Sequence, residues 1–354
     1  MHMKGDVVYV GLSGGVDSSV AALRLKNQGY QVVGVFIKVW QPDFLECDWE
    51  KERLDAMRIA AHLDIPFLTF DAAGEYKREV ADYMVEEYRA GRTPNPDVMC
   101  NQHIKFGCFL RFALSNGASK IATGHYAQVR KEQGSYRLLR GSDTSKDQSY
   151  FLWTLTQEQL QYVLFPIGDT KKESVRKEAM DAGLPVFDKK DSQGICFLGH
   201  IDIKEFLSHF IETEEGAVLD QAGNIVGKHD GALFYTVGQR HGFSVTTIGK
   251  ESTPHYVLSK DLAKNTITVS TEPPRAAPHD SLQLVKINRI NKVWGEDLTA
   301  QVRYRQKPFS VRLLDSSEGK AVFSILDEDV ESPSSGQSCV IYDGKECVGG
   351  GIIE

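Results

Sequence analysis

The sequence predicts an α/β protein: a doubly wound parallel sheet, then a small β-rich middle domain, then a C-terminal β-barrel. Three observations predict it. Short apolar runs alternate with helical patterns through about residue 200. Two glycines stand where the first run turns into the first helix. Beyond Gly199 the helical patterns give way to glycine-punctuated strands.

The elements follow in order. Val7-Val8-Tyr9-Val10-Gly11-Leu12 is the first strand, and Ser18 to Gln28 is a helix that Gly29-Tyr30 ends. Val32 to Ile37 is a second strand, Lys51 to Leu63 a helix, and Pro66 to Phe70 a third strand. Tyr76, Val80, Tyr83 and Met84 recur at helical spacing. Lys120 to Thr123 is a fourth strand. Thr170-Lys171-Lys172-Glu173 reads as a capping box opening a helix that Gly183 and Pro185 close. In the middle stretch, 216–219, 233–237 and 255–258 read as strands. After the break at Pro273 to Pro278, five more short strands between Leu282 and Tyr342 suggest a small barrel or sandwich. The breaks divide the chain into domains 1–200, 201–275 and 276–354.

Composition sets outer bounds. A chain of 354 residues can bury sizeable cores without staples. No long apolar run predicts a membrane span, and Met1 to Gly5 carry no apolar signal core. The expected location is the cytoplasm. The six cysteines (Cys47, Cys100, Cys108, Cys196, Cys339 and Cys347) form no Cys-x-x-Cys pair, which excludes zinc-ribbon and thioredoxin spacings. A net charge of -7 argues against a large nucleic-acid-coating surface but allows a local basic groove.

The segment Ser13-Gly14-Gly15-Val16-Asp17-Ser18-Ser19 carries the first chemistry. Two glycines let the backbone turn tightly beside a ligand. The helix start offers free N–H groups and a positive dipole end to an anion. Ser13, Ser18 and Ser19 add hydroxyl donors, and Asp17 is the candidate holder of a magnesium that bridges phosphate oxygens. Neither the Walker string nor the dinucleotide Gly-x-Gly-x-x-Gly is present. The Ser-Gly-Gly-x-Asp-Ser string resembles the pyrophosphate loop of the N-type ATP pyrophosphatases. Those enzymes attach AMP to a substrate oxygen, and a nucleophile then displaces it. That resemblance implies ATP and adenylation, and leaves the acceptor open.

Two further segments stand out. In Thr93-Pro94-Asn95-Pro96-Asp97-Val98-Met99-Cys100-Asn101, two prolines stiffen a loop and fix where its polar groups point. Asp97 is a candidate general base or base-edge partner, and Cys100 a candidate nucleophile. In Lys189-Lys190-Asp191-Ser192-Gln193-Gly194-Ile195-Cys196-Phe197, nearby lysines would stabilise a thiolate or persulfide on Cys196. Taken alone, the first segment reads more readily as a structural Pro-turn with a buried thiol, and the second equally as a strand with Cys196 packed beside Ile195 and Phe197.

Together with the loop, Asn-Pro-Asp-x-x-Cys-Asn and Gly-Ile-Cys-Phe closely resemble the bacterial tRNA-specific 2-thiouridylase family. Five more strings match that family in order: Thr123 to Ala127, Ser145 to Leu152, Tyr235 to Arg240, Arg303 to Pro308, and Gly349 to Ile353. The resemblance runs essentially end to end. It implies an adenine nucleotide α-hydrolase-like sheet, and roles for matched positions. Gly11, Leu12, Ser13, Gly14, Gly15, Val16, Asp17 and Ser18 would hold the phosphates of ATP with Mg2+, and Ile37 and Gly124 would flank adenine. Asn95, Pro96 and Asp97 would hold the flipped target uridine. His125, Lys146, Asp147, Gln148, Arg303, Tyr304 and Gln337 would contact tRNA. Cys196 would carry a persulfide, with Cys100 its partner. Glutamate, lysine and glutamine tRNAs are the implied acceptors, and a sulfur-relay protein or cysteine desulfurase the donor. The chain departs at Phe36-Ile37-Lys38-Val39-Trp40, where the family reads Phe-Met-Lys-Asn-Trp.

Other classes remain open at this level. A different adenylating synthetase would not need both Cys100 and Cys196. A nucleotide-sensing RNA binder would release no pyrophosphate in response to tRNA. An iron–sulfur cluster on Asp97, Cys100 and Cys196 would keep the function and change its chemistry.

Overall fold

The first strands are valine-rich because both faces of their sheet are covered. In a computed structural model, which describes residues 5–44, 49–190, 203–246, 253–291, 294–295 and 297–354, β1 (Val7–Gly11), β2 (Gln31–Lys38), β3 (Phe67–Asp71) and β4 (Lys120–Ala122) run parallel. Next come β5 (Ala127–Glu132), β6 (Ser135–Arg140) and β7 (Val163–Leu164). The parallel sheet has the order β3-β2-β1-β4-β7, so the short β7 is a fifth strand that the sequence pattern did not single out. Residues of β1 alternate between faces. Val8 and Val10 pack with α1 (Val16–Asn27) and α2 (Trp49–His62), whereas Tyr9 packs with the helices over 73–89 and 96–115. That is the doubly wound arrangement expected.

The helix expected from Tyr76, Val80, Tyr83 and Met84 runs over 73–89, with a widened π segment at Lys77–Asp82. A second π segment, Cys100–Cys108, interrupts the helix over 96–115. The helix Lys172–Asp181 forms, but not through the expected capping box. Its N-cap is Lys171, without a side-chain cap. Thr170 instead turns its hydroxyl to Arg24 and Asp169, and Asp143 accepts the Lys172 N–H at 3.0 Å. Arg24 also binds the Glu178 carboxylate through Nε and Nη2, which fastens this helix to α1.

The middle sheet joins β8 (Gly216–Leu219), β9 (Ile225–His229), β10 (Ser244–Val245), β11 (Tyr256–Asp261) and β12 (Thr266–Ser270) in the order β10-β9-β8-β12-β11. The expected strand 233–237 is absent. Ala232–Phe234 form a 3₁₀ turn between Gly231 and Gly238, both at positive φ. The Thr236 N–H goes to the Gln239 side chain rather than to a strand.

Then come β13 (Arg275–Ala276), β14 (Ser281–Arg289), β15 (Leu298–Gln301), β16 (Phe309–Ser317), β17 (Lys320–Ile325), β18 (Val330–Glu331), β19 (Ser338–Asp343) and β20 (Glu346–Ile353). β14 pairs with both β17 and β20, so six antiparallel strands close into a barrel. Leu282, Phe309, Val311, Phe323 and Ile341 fill it. The hairpin β5–β6 does not join the parallel sheet. It turns at Gln133 and Gly134, both at positive φ, and β6 adds to the barrel through Leu138↔Cys347 and Leu139↔Glu346. The first and last parts of the chain thus share one continuous eight-stranded sheet. Among the described residues, no helix is long and apolar enough to cross a membrane.

Phe323 is fully buried at the centre of the barrel. Phe323→Ala should cost about 3–5 kcal/mol through lost transfer energy and the cavity left behind. Denaturant unfolding of the purified variant checks this.

Candidate functional site

The C-terminal edge of a parallel sheet collects helix N-termini, and ligands bind there. β1 ends at Gly11, where an added Cβ would sit 3.8 Å from Ile37, Phe109 and Thr123. Ile37 is half-buried at the end of β2. Leu12 is buried and its N–H continues the ladder to Val35 O, so it anchors the loop from below.

The loop then turns at Gly14, with φ +71°. A Cβ there would lie 2.7 Å from Glu52 O, so both conformation and space demand glycine. Ser18 Oγ accepts from Ser13 N at 3.3 Å and donates to Gly15 O at 3.2 Å, which closes the loop on itself. Ser19 Oγ donates to Gly15 O at 2.6 Å. Gly15 is the N-cap of α1 and supplies no side-chain cap. The N–H groups of Val16, Asp17 and Ser18 therefore stand at an open helix start. Gly124 lies directly against it, its Cβ position 2.7 Å from Ser18 N.

Asp17 is not an open carboxylate. Lys172 Nζ is 2.8 Å from both of its oxygens, and the Tyr126 hydroxyl donates at 2.8 Å. Among the described residues no group of three or more His, Cys, Asp or Glu side chains is set to hold a metal ion. A lone carboxylate already paired with an ammonium does not fit as a magnesium site.

Behind the loop, Lys189 Nζ donates to Gly14 O at 3.0 Å and to Asp55 at 2.8 Å. Lys189 thus braces the loop from behind. Cys196 itself and the string from Asp191 to Phe197 lie outside the described residues, as does Cys47.

The second segment opens a helix. Asn95 caps it by accepting from Val98 N at 3.2 Å, and Pro96 fills the first turn. Asp97 is half-buried, and burial raises its carboxyl above the usual aspartate value, while Lys105 pulls the other way. Cys100 follows one turn later, buried, at the head of the π segment. Two later parts of the chain hold this loop. Thr93 N–H donates to Ser335 O at 2.9 Å, Thr93 Oγ1 meets Thr236 Oγ1 at 2.9 Å, and Gln337 Nε2 donates to Thr93 O at 2.8 Å.

Several of the expected tRNA-contacting side chains are bonded within the protein, although only His125 among them is buried. His125 is buried between Phe106 and Phe165, with Nδ1 2.7 Å from Thr123 Oγ1. Burial first, and then Lys105, push its pKa well below the usual histidine value, so it is neutral. Asp147 accepts from Arg140, the Gly141 and Ser149 N–H groups and the Ser149 hydroxyl. Gln148 accepts the Tyr126 N–H. Arg303 binds Val237 O at 2.7 Å and pairs with Glu331. Gln337 serves the Thr93 loop. Lys146 and Tyr304 are partly exposed, with Tyr304 packed on Phe151. Cys339 and Cys347 are fully buried, which raises both thiols, Cys347 to about 12.

Sequence reasoning missed Lys172, Tyr126, Thr93 and Thr236. Tyr126 and Thr236 lie inside matched strings and Thr93 just before one, but nothing in their spacing signals a partner so distant. Lys172 looked like an ordinary first-turn lysine.

Comparison with known proteins matches this layout part by part. Residues 6–200 match the family described as tRNA methyl transferase HUP domain, 204–271 its PRC-barrel domain, and 284–353 the aminomethyltransferase beta-barrel domain. The tRNA-specific 2-thiouridylase MnmA of Lysinibacillus sphaericus is 46% identical over 98% of this chain and 94% of its own. That of Bacillus subtilis is 44% identical with the same coverage, and that of Geobacillus thermodenitrificans 43%. The chain belongs to the tRNA-specific 2-thiouridylase family. Membership extends over nearly all of its length, including the middle and barrel regions that hold the Thr93 loop.

Two outcomes follow from this geometry. Gly124→Val should drive a side chain into the start of α1 and weaken ATP binding by about tenfold or more, read by calorimetry. Asp97→Asn should raise the melting temperature at neutral pH. Because burial raises the folded carboxyl pKa, the wild type has this stability in full below the unfolded value. It loses it as pH climbs through the folded value. The advantage of the amide should therefore shrink as pH falls toward the ordinary aspartate range, read by thermal melts across pH.

Proposed function

We propose that this chain is an ATP-dependent sulfurtransferase that converts the wobble uridine of tRNA to 2-thiouridine. The observation that carries the reading is one molecule holding both an open, hydroxyl-lined helix start and the Asp97–Cys100 helix turn, within a chain 43–46% identical to named 2-thiouridylases. The matched family descriptions speak of methyl transfer. A phosphate loop together with Cys100 and Cys196 suits activation and sulfur transfer better than methylation, which needs neither.

The chemistry runs in two stages. Uracil's 2-carbonyl is a poor electrophile with a poor leaving oxygen. Its oxygen attacks the α-phosphorus of ATP, pyrophosphate leaves, and the oxygen becomes part of AMP. The N–H groups at the start of α1, with Ser13 and Ser18, hold the phosphates and stabilise charge that grows there. Magnesium would arrive on the phosphates, and no step is assigned to a protein-held ion. Asp97, with its raised pKa, is suited to orient the base or move its proton.

In the second stage the terminal sulfur of a Cys196 persulfide attacks C2, forming the C–S bond and expelling AMP. The Cys100 thiolate then attacks the Cys196 sulfur. The S–S bond breaks, its electron pair stays on the sulfur at C2, and a Cys100–Cys196 disulfide remains for an external dithiol to reduce. A variant route has Cys100 release hydrosulfide first. A sulfur-relay protein or cysteine desulfurase loads Cys196, and glutamate, lysine and glutamine tRNAs are the acceptors, in the cytoplasm.

Nucleoside mass spectrometry tests this. Unmodified acceptor tRNAs are incubated with the protein, Mg-ATP, cysteine and a desulfurase. We expect ATP-dependent 2-thiouridine that vanishes in Cys196→Ala and Cys100→Ala, and falls about 100-fold or more in Asp97→Asn. Sulfur-free tRNA with ATP still cleaved for another acceptor would favour the synthetase alternative.

A further inference from the structure

The reaction scheme leaves one feature of the loop unused, the pair between Asp17 and Lys172. Asp17 is the second residue of α1. A carboxylate there favours the helix dipole but repels any polyphosphate arriving at the same N–H groups. In this structure that charge is met by Lys172, 2.8 Å from both oxygens, with the Tyr126 hydroxyl as a third partner.

Lys172 is held in place from several sides. It is 8% exposed, and a lysine so buried is costly unless paired. Its N–H is bound by Asp143, and its helix is fastened to α1 by the Arg24–Glu178 fork. Its ammonium also lies 5.8 Å from the Tyr126 ring centre. The other cation at the loop, Lys189, is occupied with Asp55 and Gly14 O and does not touch Asp17. A helix more than 150 residues away in sequence thus delivers the counter-charge (172 − 17 = 155).

We propose that Lys172 is a positioning residue for nucleotide binding, acting through Asp17. It cancels the Asp17 charge at the start of α1, so that the loop accepts the phosphates of a nucleoside triphosphate. This rests on the ATP reading above and assigns the counter-charge to the chain itself rather than to a metal ion.

Calorimetric titration of the full chain with ATP and with adenosine tests it. Lys172→Met should weaken ATP binding by about tenfold or more and leave adenosine within about twofold, because only the phosphates feel the exposed charge. Asp17→Asn removes the charge that Lys172 serves. In the double variant Asp17→Asn/Lys172→Met, which carries neither charge, ATP affinity should therefore stay within about threefold of the wild type. That comparison holds even if Lys172→Met alone does not fold, since the double variant buries no lone charge. Equal ATP binding by Lys172→Met and wild type would overturn the proposal. So would a double variant as weak as Lys172→Met, which would mean that Lys172 binds phosphate directly. No ATP binding by the wild type would instead sink the nucleotide reading, and this proposal with it.

Discussion

Two residues, Thr93 and Pro94, carry the constraint on which the site depends. The middle region reaches them through Thr236, and the barrel through Ser335 and Gln337. Gly336, with φ +86°, lets the barrel come this close, since a Cβ there would stand 2.8 Å from Thr93 N. Each such hydrogen bond contributes only about 1 kcal/mol, but together they fix one loop in one place. Asn95, Asp97 and Cys100 follow directly from it, so their direction depends on both later regions. Val237 O receives Arg303 and Ser334, which ties the middle region to the barrel at the same junction.

The same logic explains the hairpin β5–β6. Its pairing with β20 makes the barrel and the first region one sheet. Arg140 lies against the Tyr342 ring at 3.5 Å and pairs with Asp147, and Ser149 reaches the Tyr342 hydroxyl. Asp147 is thus a node that sets the shape of the 143–149 turn. Partly exposed Lys146 is presented from that turn.

Electrostatics at the loop runs on local pairs rather than on net charge. The chain is acidic overall, at -7, yet two lysines converge on the loop from elements far along the sequence. A buried pair gains little net stability after desolvation, but breaking one partner leaves a costly lone charge. Such pairs hold a charge distribution more than they hold the fold. His125 follows the opposite course: burial keeps it neutral, and it packs as an aromatic ring.

The sequence by itself determined the local facts. Alternating apolar runs specified a parallel sheet, because a strand covered on both faces must be apolar throughout. The Ser13 to Ser18 string specified a tight glycine turn into a helix start, and the structure shows Gly14 at positive φ and Gly15 without a side-chain cap. Pro94 and Pro96 specified a stiffened segment, read as a loop, and the structure makes Asn95 the cap of a helix there. Each of these is written within about ten residues, and short-range sterics decide it. Only the tertiary structure decided which charges and carbonyls would meet. The Thr170 cap was lost to Arg24, the 233–237 strand yielded to glycines and a side-chain bond, and β6 chose the barrel over its own sheet. Asp17 found Lys172, and Thr93 found Gln337. Polar partners are chosen by proximity in the folded chain, and a lysine or glutamine carries no periodic pattern that would announce its partner beforehand.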